Sequence, residues 1–277
     1  MIKLFAMDLD GTSLDSNSIL RDETIKALKK LDENGIKFVF TSGRAKPSVG
    51  YLMGLTGIDN PLVTNNGALA YINKEKIIYE NPLKHDEVEE LIKFSEENKL
   101  FYQFYDLDTY YSNRIWPERF DHLENNSSYG MNYQVNFSFS TNPLKELDLR
   151  KNSAFKFQIF PNINNPEEER KILEKVDLMD LYPTTSSYGM IEIMQKNVNK
   201  FNALSEIGNF LGISKEEMAA IGDQDNDIPM LKNVGLSFAV ENAIDEVKEI
   251  ADHVVSTNDN FGLIDAINIV LEKNSNV

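Results

Sequence analysis

The chain has 277 residues, 42% hydrophobic and 26% charged, the balance of a globular protein long enough for one large domain or two smaller ones. It contains no cysteine, which excludes disulfides, a thiol nucleophile and thiolate-bound zinc or iron–sulfur centres, and its three histidines (His85, His122, His253) are too dispersed for a histidine-rich zinc site. A net charge of −16 repels nucleic acid and anionic membrane; with no signal-peptide pattern and no 18-residue apolar span, the expectation is a soluble cytoplasmic protein that binds neither.

Residues 2–8 read as a buried strand, apolar on both faces, that ends on Asp8 and Asp10 in "FAMDLDGTSLD". The spacing of Ile25, Leu28 and Leu31 predicts a helix over 22–34 that stops at Gly35. "IKFVFTSGR" (36–44) is a second apolar strand and "PLVTNNGA" (61–68) a shorter third one running into Asn65-Asn66-Gly67. Apolar strands alternating with helices predict a doubly wound parallel sheet, covered on both sides. The style then changes. A helix over 86–98 is followed by aromatic, alternating stretches at 100–112, 133–140 and 153–161, which suit an antiparallel sheet with one face covered. A helix near 166–176 and strands near 178–185 and 188–194 complete this region. From 200 the first style returns, with a helix over 200–211, a strand leading into "GDQDND", and short strands at 235–240 and 252–256. The expected architecture is α/β: a Rossmann-like core of residues 1–82 and 191–277, with an inserted α+β cap at 83–190.

In open parallel sheets, ligands bind outside the carboxyl ends of the strands, so residues far apart in sequence converge there. Asp8 and Asp10 form one acidic loop; Asp223, Asp225 and Asp227 form another. Two acidic loops facing each other need a cation, and carboxylate oxygens select Mg2+ or Ca2+; the spacing is not that of an EF-hand, which favours Mg2+. Lys200 opens a helix at its partly positive end, a mildly unfavourable place for a lysine unless an anion joins it, though a solvated surface lysine is the usual case for any single one. Ser42, the Gly43 amide and Arg44 offer a hydroxyl, a donor and a planar cation for phosphate oxygens. No nucleotide-binding glycine loop is present.

"DLDGT" (8–12), "TSGR" (41–44), "NNGA" (65–68), Lys200 and "GDQDND" (222–227), in that order, resemble the haloacid dehalogenase-like phosphohydrolases, and more narrowly their Cof-type branch with a large C2-type cap. The resemblance covers the core almost end to end and the cap only in length and style. It implies a Mg2+-dependent phosphatase of small phosphorylated metabolites: sugar phosphates, pyridoxal phosphate or flavin mononucleotide. Asp8 would be the nucleophile that forms an aspartyl-phosphate, and Asp10 the acid that protonates the leaving alcohol and then the base that activates water. The metal ligands would be Asp8, the Asp10 carbonyl and Asp223; Ser42, Gly43, Arg44, Lys200 and Asn226 would bind phosphate or substrate, and Thr12, Asn66 and Asp227 would support them. Phe201, Glu241 and Gln195 depart from the branch's usual residues, the first two at positions expected to shape the substrate side. The competing readings are a non-catalytic phospho-ligand-binding or regulatory protein on the same fold, and a receiver-like signalling domain, which is far shorter. The cap aromatics Tyr102, Phe104, Tyr105, Tyr110, Tyr111 and Trp116 are expected mainly as sheet core, and the oligomeric state is left open.

Overall fold

The computed structural model describes residues 1–115, 136–185 and 189–276; Trp116 and the stretch before Asn136 lie outside them. The chain divides into two compact units, Met1–Arg44 with Ser48–Glu80 and Asn199–Val277, and Ala45–Pro47 with Asn81–Val198.

The first unit is built on strands β1 (Leu4–Asp8), β2 (Lys37–Thr41), β3 (Leu62–Thr64), β4 (Leu69–Tyr71) and β5 (Ile77–Glu80). Three more, β12 (Met218–Gly222), β13 (Leu236–Val240) and β14 (His253–Val255), come from the end of the chain. Their order is β14-β13-β12-β1-β2-β3-β4-β5. The first six are parallel, while β4 and β5 add an antiparallel edge that the apolar alternation does not announce. All five residues of β1 are buried, because the strand lies at the centre of a sheet covered on both faces. Helix Asp22–Glu33 packs on helix Gly262–Ser275, while helix Lys200–Leu211 packs beside Ile228–Leu231, which meets Asp245–Ile250. Asp8 pairs with Thr41 in register, so the loops after β1 and β2 leave the sheet side by side.

The second unit holds strands β6 (Phe101–Tyr105), β7 (Thr109–Ser112), β8 (Asn136–Phe139), β9 (Lys156–Phe160), β10 (Tyr182–Thr185) and β11 (Ile191–Met194). They form one sheet in the order β10-β11-β9-β6-β7-β8, antiparallel except for the β7–β8 pair. One face carries Tyr102, Phe104, Tyr111, Phe157, Ile159 and Ile193, in a cluster with Val88, Leu91, Leu147, Ile172 and Val176 of the helices. The rings stack, with Tyr102 5.4 Å from Phe157 and Phe104 5.1 Å from Tyr111.

Two expectations are corrected here. Residues 191–194 pair with β9 and β10, so this strand belongs to the smaller unit and not to the core. The second face of the smaller sheet is also buried and polar: Lys156 Nζ donates to Glu192 Oε1 at 2.7 Å, Gln158 donates to the same oxygen at 2.6 Å, and Gln103 donates to Gln158 at 2.6 Å. The period-2 pattern was right, but these alternate polar residues are buried and hydrogen-bond to one another, with Gln103 Oε1 left without a partner among the described residues.

Candidate active site

The site is assembled from the carboxyl ends of β1, β2, β3 and β12 and the first turn of helix Lys200–Leu211. After β1 the chain makes a tight turn, Leu14 N bonding to Leu9 O at 2.9 Å, with Gly11 at φ +77°, a conformation that costs a residue with a Cβ. A Cβ at Gly11 would lie 2.4 Å from Asp223 Oδ2, so this glycine also lets the two acidic loops approach. Thr12 Oγ1 donates to Asp223 Oδ1 at 2.7 Å, tying them together. Ser13 Oγ donates to the Asp8 carbonyl.

Lys200 is fully buried, and its ammonium donates to Asp8 Oδ1 and, at 2.6 Å, to Asp227 Oδ1. Asn199 caps this helix by accepting from Asn202 N at 2.9 Å, which fixes the turn on which Lys200 stands. Asp227 Oδ2 accepts from the amides of Asp223 (3.0 Å) and Gln224 (3.1 Å), so it locks the loop after β12. Asp8, Asp223 and Asp227 are all buried, and one carboxylate oxygen from each lies within 4.8 Å of the others. Three carboxylates thus face one ammonium.

Burial dominates the electrostatics. It pushes the Asp8 carboxyl well above the usual range, reinforced by Asp227, Asp223 and Asp10 and opposed by Lys200. Asp223 is pushed up to about 6, by burial first and then by Asp227, against the Thr12 hydrogen bond. Burial also works against the charge on Lys200, but Asp227 and Asp8 outweigh it and hold the ammonium's pKa above its ordinary value.

The neighbouring loops carry the polar groups. Ser42 is buried; its amide donates to Val63 O at 3.0 Å and its Oγ accepts from Arg44 N at 3.1 Å. Asn65 and Asn66 both take left-handed conformations after β3, and Asn66 N donates to Ser42 O at 3.0 Å. Asn226 Nδ2 donates to Asn66 Oδ1 at 3.1 Å. The Asp10 carboxylate turns to Arg44, which holds it through Nε at 2.8 Å and through Nη2.

Residues 5–267 match the family described as haloacid dehalogenase-like hydrolase. The chain belongs to the haloacid dehalogenase-like hydrolases. It is 28% identical over 266 residues to a 5-amino-6-(5-phospho-D-ribitylamino)uracil phosphatase of Bacillus subtilis, covering 96% of this chain and 94% of that one. A second Bacillus subtilis relative, named a phosphatase, is 26% identical over 288 residues, 95% of this chain and 97% of that one. A solved structure from Thermotoga maritima superposes with a TM-score of 0.83 at 26% identity over 97% of each chain. A haloacid dehalogenase-like hydrolase from Bacteroides thetaiotaomicron shares the fold, with a TM-score of 0.84 at 24% identity over 98% of this chain and 100% of that one. The Cof-type branch that the motifs resemble is upheld, and the chain is a phosphoric monoester hydrolase.

Of the residues singled out from the sequence of this haloacid dehalogenase-like hydrolase, Asp8, Thr12, Lys200, Asp223 and Asp227 form one hydrogen-bonded network. The Asp10 carboxylate is not in the three-carboxylate group. Asn226, expected toward phosphate or substrate, bonds to Asn66, and Asp227 bonds to Lys200 and two backbone amides. Phe201 is half-buried and Glu241 exposed, and neither is a partner in these bonds. Sequence reasoning missed Ser13, Gln224, whose Nε2 reaches Asp223 Oδ2 at 3.2 Å, and Asn242, which donates to Gly11 O at 2.8 Å. The first two lie inside the quoted stretches "FAMDLDGTSLD" and "GDQDND"; Asn242, beside Glu241, gave no signal because its partner is 231 residues away.

Proposed function

We propose that this enzyme is a Mg2+-dependent phosphatase of small phosphorylated metabolites, working through an aspartyl-phosphate on Asp8. The observation that carries this reading is the buried group of Asp8, Asp223 and Asp227 against the single ammonium of Lys200. The excess of buried negative charge is costly unless a cation joins it, and hard oxygen donors from Asp8, the Asp10 carbonyl and Asp223 suit Mg2+. When bound, the cation neutralises charge on the transferring phosphoryl group.

The side chains supply the rest. An Asp8 carboxylate oxygen attacks phosphorus in line, the bond from phosphorus to the ester oxygen breaks, and Asp10 gives its proton to the departing alkoxide. Asp10, now a base, takes a proton from water as that water attacks the phosphorus of the aspartyl-phosphate; phosphate leaves and Asp8 is restored. The Ser42 hydroxyl, the Gly43 amide and Lys200 hold the phosphoryl oxygens. Asn66 and Asn226 brace the turn that presents Ser42, and Thr12 and Asp227 fix the acidic loops.

The Bacillus subtilis relative named for a phosphorylated ribitylaminouracil supports a metabolite of that size, and sugar phosphates, pyridoxal phosphate and flavin mononucleotide belong to the same class. No helix among the described residues is long and apolar enough to cross a membrane, and the reading is of a cytoplasmic enzyme. The test is phosphate release from a panel of these compounds, with Mg2+ or with chelator, by wild type and Asp8→Asn. Multiple turnover that needs metal and is lost in Asp8→Asn is the expected result. Turnover that survives in a pure Asp8→Asn sample assigns the nucleophile elsewhere, and no release by folded wild type favours a phospho-ligand-binding protein.

A further inference from the structure

Arg44 is the cation of the "TSGR" stretch, and its guanidinium is directed away from the role that a phosphate-site arginine plays. Nε donates to Asp10 Oδ2 at 2.8 Å and Nη2 to Asp10 Oδ1, while Nη1 donates to Ser48 Oγ at 3.1 Å. The backbone around it is tied as well: Arg44 N donates to Ser42 Oγ at 3.1 Å, and Asn65 N donates to Arg44 O at 3.0 Å. All three guanidinium nitrogens therefore have partners, two of them on one carboxylate. The Nε–Nη2 edge, the fork that would grip a phosphoryl group side-on, is already spent on Asp10, and to offer that edge to phosphate Arg44 would have to release the carboxylate.

The Asp10 carboxylate needs such a partner. Its side chain is 53% exposed and stands on the Leu9–Ser13 turn just after β1, so by itself it would sample several rotamers. A planar two-point clamp selects one of them, because the guanidinium fork matches both carboxylate oxygens at once. Each carboxylate oxygen has two lone-pair sites, and the clamp uses one on each. A proton can still enter or leave by the remaining sites. We infer that Arg44 is a positioning residue: it aims Asp10 at the leaving-group oxygen and is not a ligand of the transferring phosphoryl group. The inference rests on the phosphatase reading above, in which Asp10 is the acid and base.

Leaving-group chemistry separates the two roles. Departure of p-nitrophenolate needs no proton, whereas departure of an alkoxide does, and kcat/KM reports the steps through that departure. Wild type, Arg44→Lys, Asp10→Asn and Ser48→Ala would be compared on p-nitrophenyl phosphate and on the best alkyl phosphate of the panel, with inorganic phosphate as inhibitor. Arg44→Lys keeps the charge and loses the fork. The expected result is that Arg44→Lys and Asp10→Asn each lose more than about tenfold in kcat/KM on the alkyl phosphate and less than about threefold on p-nitrophenyl phosphate. Ser48→Ala, which leaves the ion pair but removes the Nη1 anchor, shifts the same ratio in the same direction by less. Inhibition by inorganic phosphate stays at the wild-type level in Arg44→Lys. Equal losses on both substrates with weakened phosphate inhibition would overturn the inference and assign Arg44 to the phosphoryl oxygens. Unchanged rates in Arg44→Lys would overturn it too, since Asp10 would then need no clamp. Wild type that turns over neither compound rejects the phosphatase reading, and this inference with it.

Discussion

Lys200, marked in the sequence by its place at the start of a helix, is central in the structure. It is fully buried between Asp8 and Asp227, and removing it leaves two buried carboxylates without their counter-charge. Breaking a buried pair in this way typically costs about 3–5 kcal/mol. Lys200→Ala should lose stability on that order in urea titration without metal, together with its turnover; a loss below about 1 kcal/mol would show that the cluster does not rest on this lysine. The carboxyls make the site pH-sensitive. Asp223 is raised to about 6 from an ordinary value near 3.8, so the folded protein binds its proton more tightly than the unfolded chain. The contribution of Asp223 to metal-free stability therefore falls as pH rises from about 4 to about 6, and its loss is complete above 6. A cation must displace that proton below pH 6, at a cost in affinity of up to about tenfold per pH unit. The rise in Tm on adding Mg2+ should accordingly be larger at pH 7.5 than at pH 5; equal rises at both would remove Asp223 from the metal ligands. The residue types of the site were legible because each motif ends an apolar run or opens a helix. The partners of Asn226 and Asp227 were not, since hydrogen bonds between loops are set by tertiary approach.

At the scale of elements, the loops matter more than the strands. Gly67, at φ +99°, lies against the helix that carries Lys200: a Cβ there would sit 2.1 Å from the carbonyl oxygen of Asn199. Gly35, at φ +75°, has nothing within 4 Å of its would-be Cβ. Gly35→Ala should therefore cost only the conformational penalty of about 1–2 kcal/mol, whereas Gly67→Ala should cost more and also lower kcat, by pushing on the cap of helix Lys200–Leu211. Denaturation and turnover of the two variants check this, and equal effects would mean that the backbone approach at Gly67 is slack. The long apolar strands and the helices over 22–33 and 200–211 were readable from periodicity. Helix Lys46–Thr56 was not, because "KPSVGYLMGLT" has a proline and two glycines and a poorly marked polar face. The three-residue strand β4 was too short to show alternation. Helix Gly262–Ser275 starts from Phe261 in a left-handed conformation, a start without a polar capping residue.

For the whole molecule, each unit has its own apolar interior, and that of the smaller one is closed by helices from three separate stretches. Residues 81–198, expressed alone, should unfold in one cooperative transition followed by circular dichroism, as expected of a unit with its own core. A gradual, featureless melt would show that this unit depends on the other. The interruption of the first unit by the second could be read from the change of pattern, apolar runs giving way to aromatic alternation and then returning. The boundary could not be read to the residue, and strand Ile191–Met194 shows why: its four apolar and polar positions suit either sheet, and only pairing with β9, some thirty residues earlier, assigns it. By itself the sequence determined the α/β core, the inserted domain, the two acidic loops at strand ends and the family, because these depend on local pattern and on the order of motifs along the chain. The tertiary structure alone decided which carboxylates share the lysine, that Arg44 clamps Asp10, and that the second face of the smaller sheet carries a buried polar network. Those facts depend on distances between segments up to about two hundred residues apart, and such distances are fixed only when the sheets assemble.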